Sequence, residues 1–245
     1  MTVSRAIVIT GGSRGIGRAA ALQAGARGWS VAVNYVRDAA AAEEVVTGIA
    51  KAGGKAIAVQ GDVAEEADVL RLFDAAETAF GPLSGVVVNS GVVAPPSRLA
   101  DMDLARLRRM FDINLLGAML TAREGARRLT QGGSIVLVSS AAARLGGPNE
   151  YVDYAASKGA LDTLAIGLSK ELGPQGIRVN SIRPGLIETD IHASGGQPDR
   201  AQRLGTSAPL GRPGRADEVG EAIVWLLSDA ASYVTGSIMD VTGGR

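Results

Sequence analysis

The strongest constraint on this chain is an alternation. Short β-branched runs at residues 6–10, 31–35, 56–60, 85–90, 134–139 and 177–182 are each followed by a longer Ala-, Leu-, Glu- and Arg-rich segment with helical spacing, as in "AAEEVVTGIAKAG" and "EEADVLRLFDAAETAFG". Strands that alternate with helices make a parallel sheet covered on both faces. Right-handed crossovers wind such a chain outward from its first strand in two directions, giving an order such as 3-2-1-4-5-6 with ligands outside the carboxyl ends of the strands. A last short strand near 237–241 is expected to close one edge. The fold class is therefore α/β, a doubly wound, Rossmann-like parallel sheet of seven strands in a single domain spanning 1–245. The one long break in the alternation, 192–214, is rich in Gly, Pro, Ser and Arg; long breaks in compact domains tend to be binding loops, so a substrate loop is placed at about 190–214.

Directly after the first run comes "TGGSRGIG", residues 10–17, opening a helix. A dinucleotide pyrophosphate needs a turn without Cβ atoms, a close approach of backbone, and amide groups at a helix N-terminus. Gly11, Gly15 and Gly17 supply these. An acid about 20 residues further on usually takes the ribose hydroxyls of NAD. That place holds Asn34 or Tyr35 here, with Arg37 just beyond and Arg14 inside the turn, and two guanidiniums favour a 2'-phosphate, hence NADP over NAD. Asp38 is the one carboxylate in position to turn inward instead.

"YVDYAASKG", residues 151–159, has two tyrosines and one of only four lysines in the chain. Helical neighbours four apart share a face, so Lys158 reaches Tyr154 while Tyr151 has no cation and is left as a pocket wall. An ammonium about 4 Å from a phenolate, at an effective dielectric of 20, is worth roughly 4 kcal/mol, or about three pK units, enough to bring a tyrosine toward acid–base work. Upstream, the run "SIVLVSS" ends in Ser139 and Ser140, at the carboxyl edge where a hydroxyl can orient the same substrate oxygen.

Composition narrows the alternatives. Lys plus Arg equals Asp plus Glu at 25 each, so no global field draws the chain to nucleic acid or an anionic membrane. With no cysteine and one histidine, His192, disulfides and thiolate or imidazole metal sites are not expected. "MTVSRAIVITGG" passes straight into an apolar run with no leader, and no stretch reaches the roughly 18 apolar residues of a membrane helix, so a soluble, cytoplasmic protein is expected.

Several ordered motifs, "TGGSRGIG", "GDV" at 61–63, "NSG" at 89–91, "DINLLG" at 112–117, "SS" at 139–140, "YAASK" at 154–158 and "RPG" at 183–185, together resemble the short-chain dehydrogenase/reductase family over essentially the whole chain. The resemblance implies that Ser140 orients substrate, that Tyr154 is the catalytic acid/base, and that Lys158 binds the nicotinamide ribose and lowers the tyrosine's pKa. Asn114 would hold a water in a proton relay. Asp62 would contact the adenine with Val63 beside it, Asn89 and Gly91 would line the ribose, and Thr189 with the backbone of Ile187 would hold the carboxamide and pyrophosphate. Ser13, Ile16 and Pro184 complete the implied cofactor set.

Two departures from the family pattern stand out. "NSG" replaces the usual "NAG", placing a hydroxyl at Ser90. Gln131 and Gln175 stand where acyl carrier protein reductases often present arginines, although Arg127 and Arg128 lie close by. His192 is expected to be a solvated loop residue, and "ARLRRMF" around Arg106–Arg109 a solvated helix stripe. The resulting expectation is an NADP-preferring oxidoreductase of a small carbonyl or secondary alcohol, working as a homo-oligomer, by family default a tetramer. Reduction of a 3-oxoacyl thioester, sugar dehydrogenation in the manner of glucose dehydrogenases, and a non-catalytic nucleotide sensor are the competing readings.

Overall fold

The computed structural model describes residues 5–245; residues 1–4, where the sequence reading saw no leader, lie outside them. In chain order the elements are β1 (Ala6–Ile9), α1 (Gly15–Ala26), β2 (Ser30–Tyr35), α2 (Ala39–Lys51), β3 (Lys55–Gln60), α3 (Glu66–Phe80), β4 (Gly85–Val88), α4 (Leu104–Phe111), α5 (Gly117–Arg128), β5 (Ser134–Val138), α6 (Ala142–Leu145), α7 (Val152–Leu172), β6 (Arg178–Pro184), β7 (Ile187–Glu188), α8 (Ile191–Ser194), α9 (Arg200–Gly205), β8 (Gly214–Arg215), α10 (Ala216–Leu227) and β9 (Ile238–Val241).

Seven strands form one parallel sheet in the order β3-β2-β1-β4-β5-β6-β9. The doubly wound order and the closing edge strand are as the alternation predicts. The two-residue period of the strands divides the core. Ala6 and Val8, Val86 and Val88, and Ile135 and Leu137 face a cluster with Leu72, Phe73 and Leu161 from α3 and α7. Ile7 and Ile9, Val87, and Val136 and Val138 face the opposite cluster with Ala20, Ile49 and Ile223 from α1, α2 and α10. Strands buried on both faces in this way need continuous apolar runs, which is what the sequence provides.

The chain reverses its winding between β1 and β4, and a cleft of about 1500 Å³ opens outside the carboxyl ends of the central strands. Two features lie outside the sequence reading. A π-helical turn, Asp112–Leu116, joins α4 to α5. In addition, β7 and β8 pair in parallel, Ile187 with Gly214 and Glu188 with Arg215, so the predicted loop is an excursion closed at its base and carrying α8 and α9.

Candidate active site

One end of the cleft is the glycine turn. Gly11 and Gly15 adopt φ of +61° and +53°, conformations open to glycine, and α1 starts with no side-chain cap, leaving its first amides to face the cleft. Gly17 does not line the cleft; it is a packing glycine, since a Cβ there would come 2.5 Å from both the Gly11 carbonyl oxygen and Asn89 Nδ2. The buried hydroxyl of Thr10 holds the turn against β4, accepting from the amides of Asn89 (3.0 Å) and Ser90 (3.1 Å) and donating to the Val87 carbonyl (3.3 Å). This explains why β4 stops at Val88 rather than at Ser90.

Asn89 Nδ2 donates to the carbonyls of Thr10 (2.9 Å) and Gly11 (3.1 Å), so its amide group secures the turn. Asn34 Oδ1 accepts from the Gly11 amide (3.2 Å) while its Nδ2 donates to the Gly61 carbonyl (2.8 Å), tying the ends of β2 and β3 to the same turn. Ser90 lines the cleft, and a Cβ on Gly11 would come 3.0 Å from its hydroxyl. Ser13, Arg14, Ile16, Arg37, Asp62 and Val63 line the same end. Asp62 accepts from the Ala64 amide (3.0 Å) and Asp38 caps α2 by accepting from the Ala41 amide (2.9 Å). Among the described residues, Arg14 and Arg37 are exposed and their side chains make neither an ion pair nor a hydrogen bond. These features, a left-handed glycine turn, an uncapped helix start and a long cleft, fit a dinucleotide.

At the centre, Gly91, Ser140, Tyr154, Lys158, Pro184, Ile187 and Thr189 all line the cleft, and Thr189 stands over the turn, 3.4 Å from where a Gly15 Cβ would be. The two serines separate by role. Ser139 is buried and donates to the Lys158 carbonyl (2.9 Å), whereas the Ser140 hydroxyl accepts from the Ala142 amide (3.1 Å) and faces Tyr154. Asn114 is fully buried behind the cleft in the π-turn. It clamps Val92, accepting from its amide (2.8 Å) and donating to its carbonyl (2.9 Å). A Cβ on Gly91 would lie 3.3 Å from both Asn114 Oδ1 and Lys158 Nζ, so glycine is what lets these two groups approach.

The electrostatics differ from the sequence reading. Lys158 Nζ donates to the Val138 carbonyl at 2.8 Å and sits 5.7 Å from the centroid of the Tyr154 ring. Desolvation in the cleft pushes the Tyr154 phenol up to about 12, opposed by the Ser140 hydroxyl and reinforced by Tyr151. Desolvation likewise pushes Lys158 down to about 8, with Asp162 one helical turn away pulling the other way. The expected downward shift of the tyrosine is thus absent here, because the ammonium is directed at a β5 carbonyl and both groups have lost water. A phenol held protonated is a proton donor at neutral pH.

The other end is built from charges. Arg200 of α9 pairs with Glu150 (2.6 Å), donates to the Tyr151 hydroxyl, and stacks over the Tyr151 ring at 5.0 Å; that ring meets Tyr154 edge-on at 5.9 Å. Tyr151 lines the cleft, but the expectation that it has no cation is overturned, because Arg200 reaches it from α9, outside its own helix. Two further expectations are corrected. His192 is half-buried with Nε2 donating to the Ile187 carbonyl (2.9 Å), and burial pushes its pKa down. Arg106 is not part of a solvated stripe; it binds the buried Asp153 of α7 through Nε (2.8 Å) and Nη2 (3.2 Å). Thr10, Asn34, Glu150 and Arg200 were not among the residues marked for the site. Thr10, which directly precedes the glycines, and Asn34, which stands where the ribose-binding acid is expected, carried a usable signal; Glu150 and Arg200 did not. Among the described residues there is no cluster of three or more His, Cys, Asp or Glu suited to a metal ion, and no helix long and apolar enough to cross a membrane.

A family model described as enoyl-(acyl carrier protein) reductase matches residues 11–245. An uncharacterised oxidoreductase of Escherichia coli, YgfF, is 49% identical over 243 residues, covering 97% of this chain and 98% of the relative. Versicolorin reductase 1 of Dothistroma septosporum is 38% identical, covering 97% and 94%. A short-chain dehydrogenase from Burkholderia cenocepacia, solved in complex with NADP, superposes with a TM-score of 0.91 at 32% identity, covering 98% and 97%. With the sheet, the turn and these relatives in hand, the chain belongs to the short-chain dehydrogenase/reductase family. It is an NAD(P)-dependent oxidoreductase.

Proposed function

We propose that the protein is an NADP-preferring carbonyl reductase that interconverts a small ketone or aldehyde and its alcohol, with Tyr154 as acid/base. The observation that carries this reading is that Ser140, Tyr154 and Lys158 line one cleft, with the Ser140 hydroxyl on the Tyr154 phenol and Lys158 Nζ 5.7 Å from the tyrosine ring. The bound nicotinamide supplies the hydride. Ser140 holds the carbonyl oxygen, and the protonated Tyr154 gives that oxygen its proton as the carbon is reduced, so that an alcohol leaves; in the oxidising direction the phenolate takes the proton back. Lys158, already close to losing its proton, replenishes the phenol, and Asn114 fixes the strand end that carries Gly91 and Val92.

The NADP preference is supported by Arg14 and Arg37, both exposed and without a side-chain partner among the described residues, and by Asp38, whose carboxylate is occupied in capping α2. We read 1–245 as one NAD(P)-binding unit with 190–214 as its substrate loop. A 3-oxoacyl carrier substrate is disfavoured because Arg127 and Arg128 are consumed by Glu124, Asp74 and Glu77. The same reading takes the protein as a cytoplasmic homotetramer; its association is supported by the apolar groove of Leu115 of the π-turn, Met119 of α5, and Leu164 and Leu168 of α7.

The test is titration with NADPH and NADH by nicotinamide fluorescence, followed by a panel of ketones, sugars and an acetoacetyl thioester. Tighter NADPH binding with oxidation by one simple carbonyl class is the expected result. Binding without any oxidation would favour a nucleotide sensor, and preferential turnover of the thioester or a sugar would replace the substrate assignment.

A further inference from the structure

Beyond β9 the chain does not run off the surface. Gly243 and Gly244, with φ of +65° and +92°, turn it back toward the cleft. The Gly243 carbonyl accepts from the Leu210 amide (3.1 Å), and a Cβ on Gly244 would come 2.8 Å from Pro209 Cγ, so the turn is packed against the end of the substrate loop. Arg144 of α6 donates to the Arg245 carbonyl at 2.5 Å. The backbone of Arg245 is therefore fixed from two sides, while its side chain lines the cleft together with Ser140, Tyr151 and Tyr154.

That side chain has no ion pair and no hydrogen bond among the described residues, and its Nη1 is shielded from solvent without an acceptor. Its charge is nevertheless felt by the Tyr151 phenol, which places it at the substrate end. Of the other guanidiniums lining this part of the cleft, Arg106 is bound to Asp153 and Arg200 to Glu150, while Arg109 is exposed and can be satisfied by water. Burying a donor with nothing to receive its proton is costly, and a native structure that does so calls for a partner. The partner that matches a guanidinium fork inside a cleft is a planar oxyanion bound through two parallel hydrogen bonds.

We propose that Arg245 is a specificity-determining residue that binds the carboxylate of a small oxo acid while the acid's carbonyl is presented to Ser140 and Tyr154. The step from this anion site to the reacting phenol is one aromatic neighbour, Tyr151, whose ring centroid is 5.9 Å from that of Tyr154. A small oxo acid is the ligand that brings a carboxylate and a carbonyl into one cleft lined by Arg245, Ser140 and Tyr154. The inference rests on the carbonyl-reductase reading for the reaction itself, though not for the anion site.

The experiment uses the protein saturated with NADPH and two matched pairs, acetoacetate with methyl acetoacetate and levulinate with methyl levulinate. Binding is followed by the change in nicotinamide fluorescence and turnover by NADPH oxidation. The expected result is a preference for the acid of at least one pair by about ten- to hundredfold in kcat/KM, carried by KM. Arg245→Met should remove the preference, Arg245→Lys should keep part of it, and neither should change NADPH affinity. Equal use of acid and ester by the native protein, an unchanged preference in Arg245→Met, or loss of NADPH affinity in its place would overturn the proposal. Acid binding that Arg245→Met abolishes, with no turnover of any compound, would uphold the anion site and sink the reductase reading. Turnover of acids and esters alike would do the reverse, and an acid that neither binds nor reacts would overturn the anion site.

Discussion

The two ends of the cleft hold their shape by different means. Around the glycine turn, Thr10, Asn34 and Asn89 are neutral side chains bonded to main-chain groups, at positions where β1, β2 and β4 end side by side. Around the substrate end, Arg106, Arg200 and Glu150 bind other charged or phenolic side chains reached across loops. A frame made of buried main-chain hydrogen bonds has one solution and is strongly coupled to folding. The second frame joins side chains held apart in sequence by loops, with Asp153 enclosed and Glu150 37% exposed, so its shape follows the loops and not the strand ends. The first end suits a ligand that does not change, and the second suits one that does.

The largest expected effect is from Tyr154→Phe, which removes chemistry and leaves both frames standing. Turnover should fall by about 10²- to 10⁴-fold while NADPH affinity stays within about twofold. A variant that lost both together would break the division between the ends.

Lys158 belongs to neither end, and its linkage can be read as stability. Its pKa is lowered in the fold to about 8 from 10.5, so in that window the unfolded chain carries a proton that the folded one has released, and stability rises with pH. Relative to Lys158→Met, the native protein should gain up to ~3 kcal/mol across the window, measured by urea unfolding at about pH 7 and about pH 10. Tyr154 works in the opposite direction. Its pKa is raised from 10.0 to about 12, so stability is lost as pH climbs between these values, and Tyr154→Phe should flatten that fall.

Thr10→Val keeps the shape of the side chain and deletes the hydroxyl's three hydrogen bonds. A loss of about 1–3 kcal/mol is expected, or roughly 2–4 °C in Tm for each kcal/mol, together with weaker NADPH binding. The smallest effect belongs to Arg200→Met. Because the Glu150 side chain it frees is 37% exposed and is rehydrated, stability should drop by about 1 kcal/mol or less, while KM rises several-fold with kcat held. If Arg200→Met cost more stability than Thr10→Val, the contrast between the two frames would fail.

The same contrast explains what could be read in advance. The sheet order follows from an alternation of apolar runs, because each strand buries itself against its own crossover helix. The glycine turn was legible because it is a local backbone requirement, and the pairing of Tyr154 with Lys158 because a helical turn has a fixed period, whereas the choice of Ser140 over Ser139 came from the family resemblance. Helical spacing, however, brings Lys158 near Tyr154 without saying which acceptor its ammonium will take, and a carbonyl of β5 took it. Arg106 and Arg200 find partners 47 and 50 residues away, through loops whose path no local rule sets. His192 and Arg245 depend on the same loops and were equally invisible.

The reciprocal bonds between β5 and α7 have an engineering consequence. Ser139 donates to the Lys158 carbonyl, and Lys158 donates back to the Val138 carbonyl, so strand and helix are riveted to each other at the reacting centre. The spacing of Ser140 from Tyr154 is thereby set by the rivet and not by the intervening segment from Arg144 to Glu150. That segment shapes the substrate end instead, through Arg144 on Arg245 and Glu150 on Arg200, so changes in it fall on the substrate and not on the spacing of the hydroxyl and the phenol. The protein is in this sense a chassis with an interchangeable front, in which new substrates can be tried without re-tooling the chemistry.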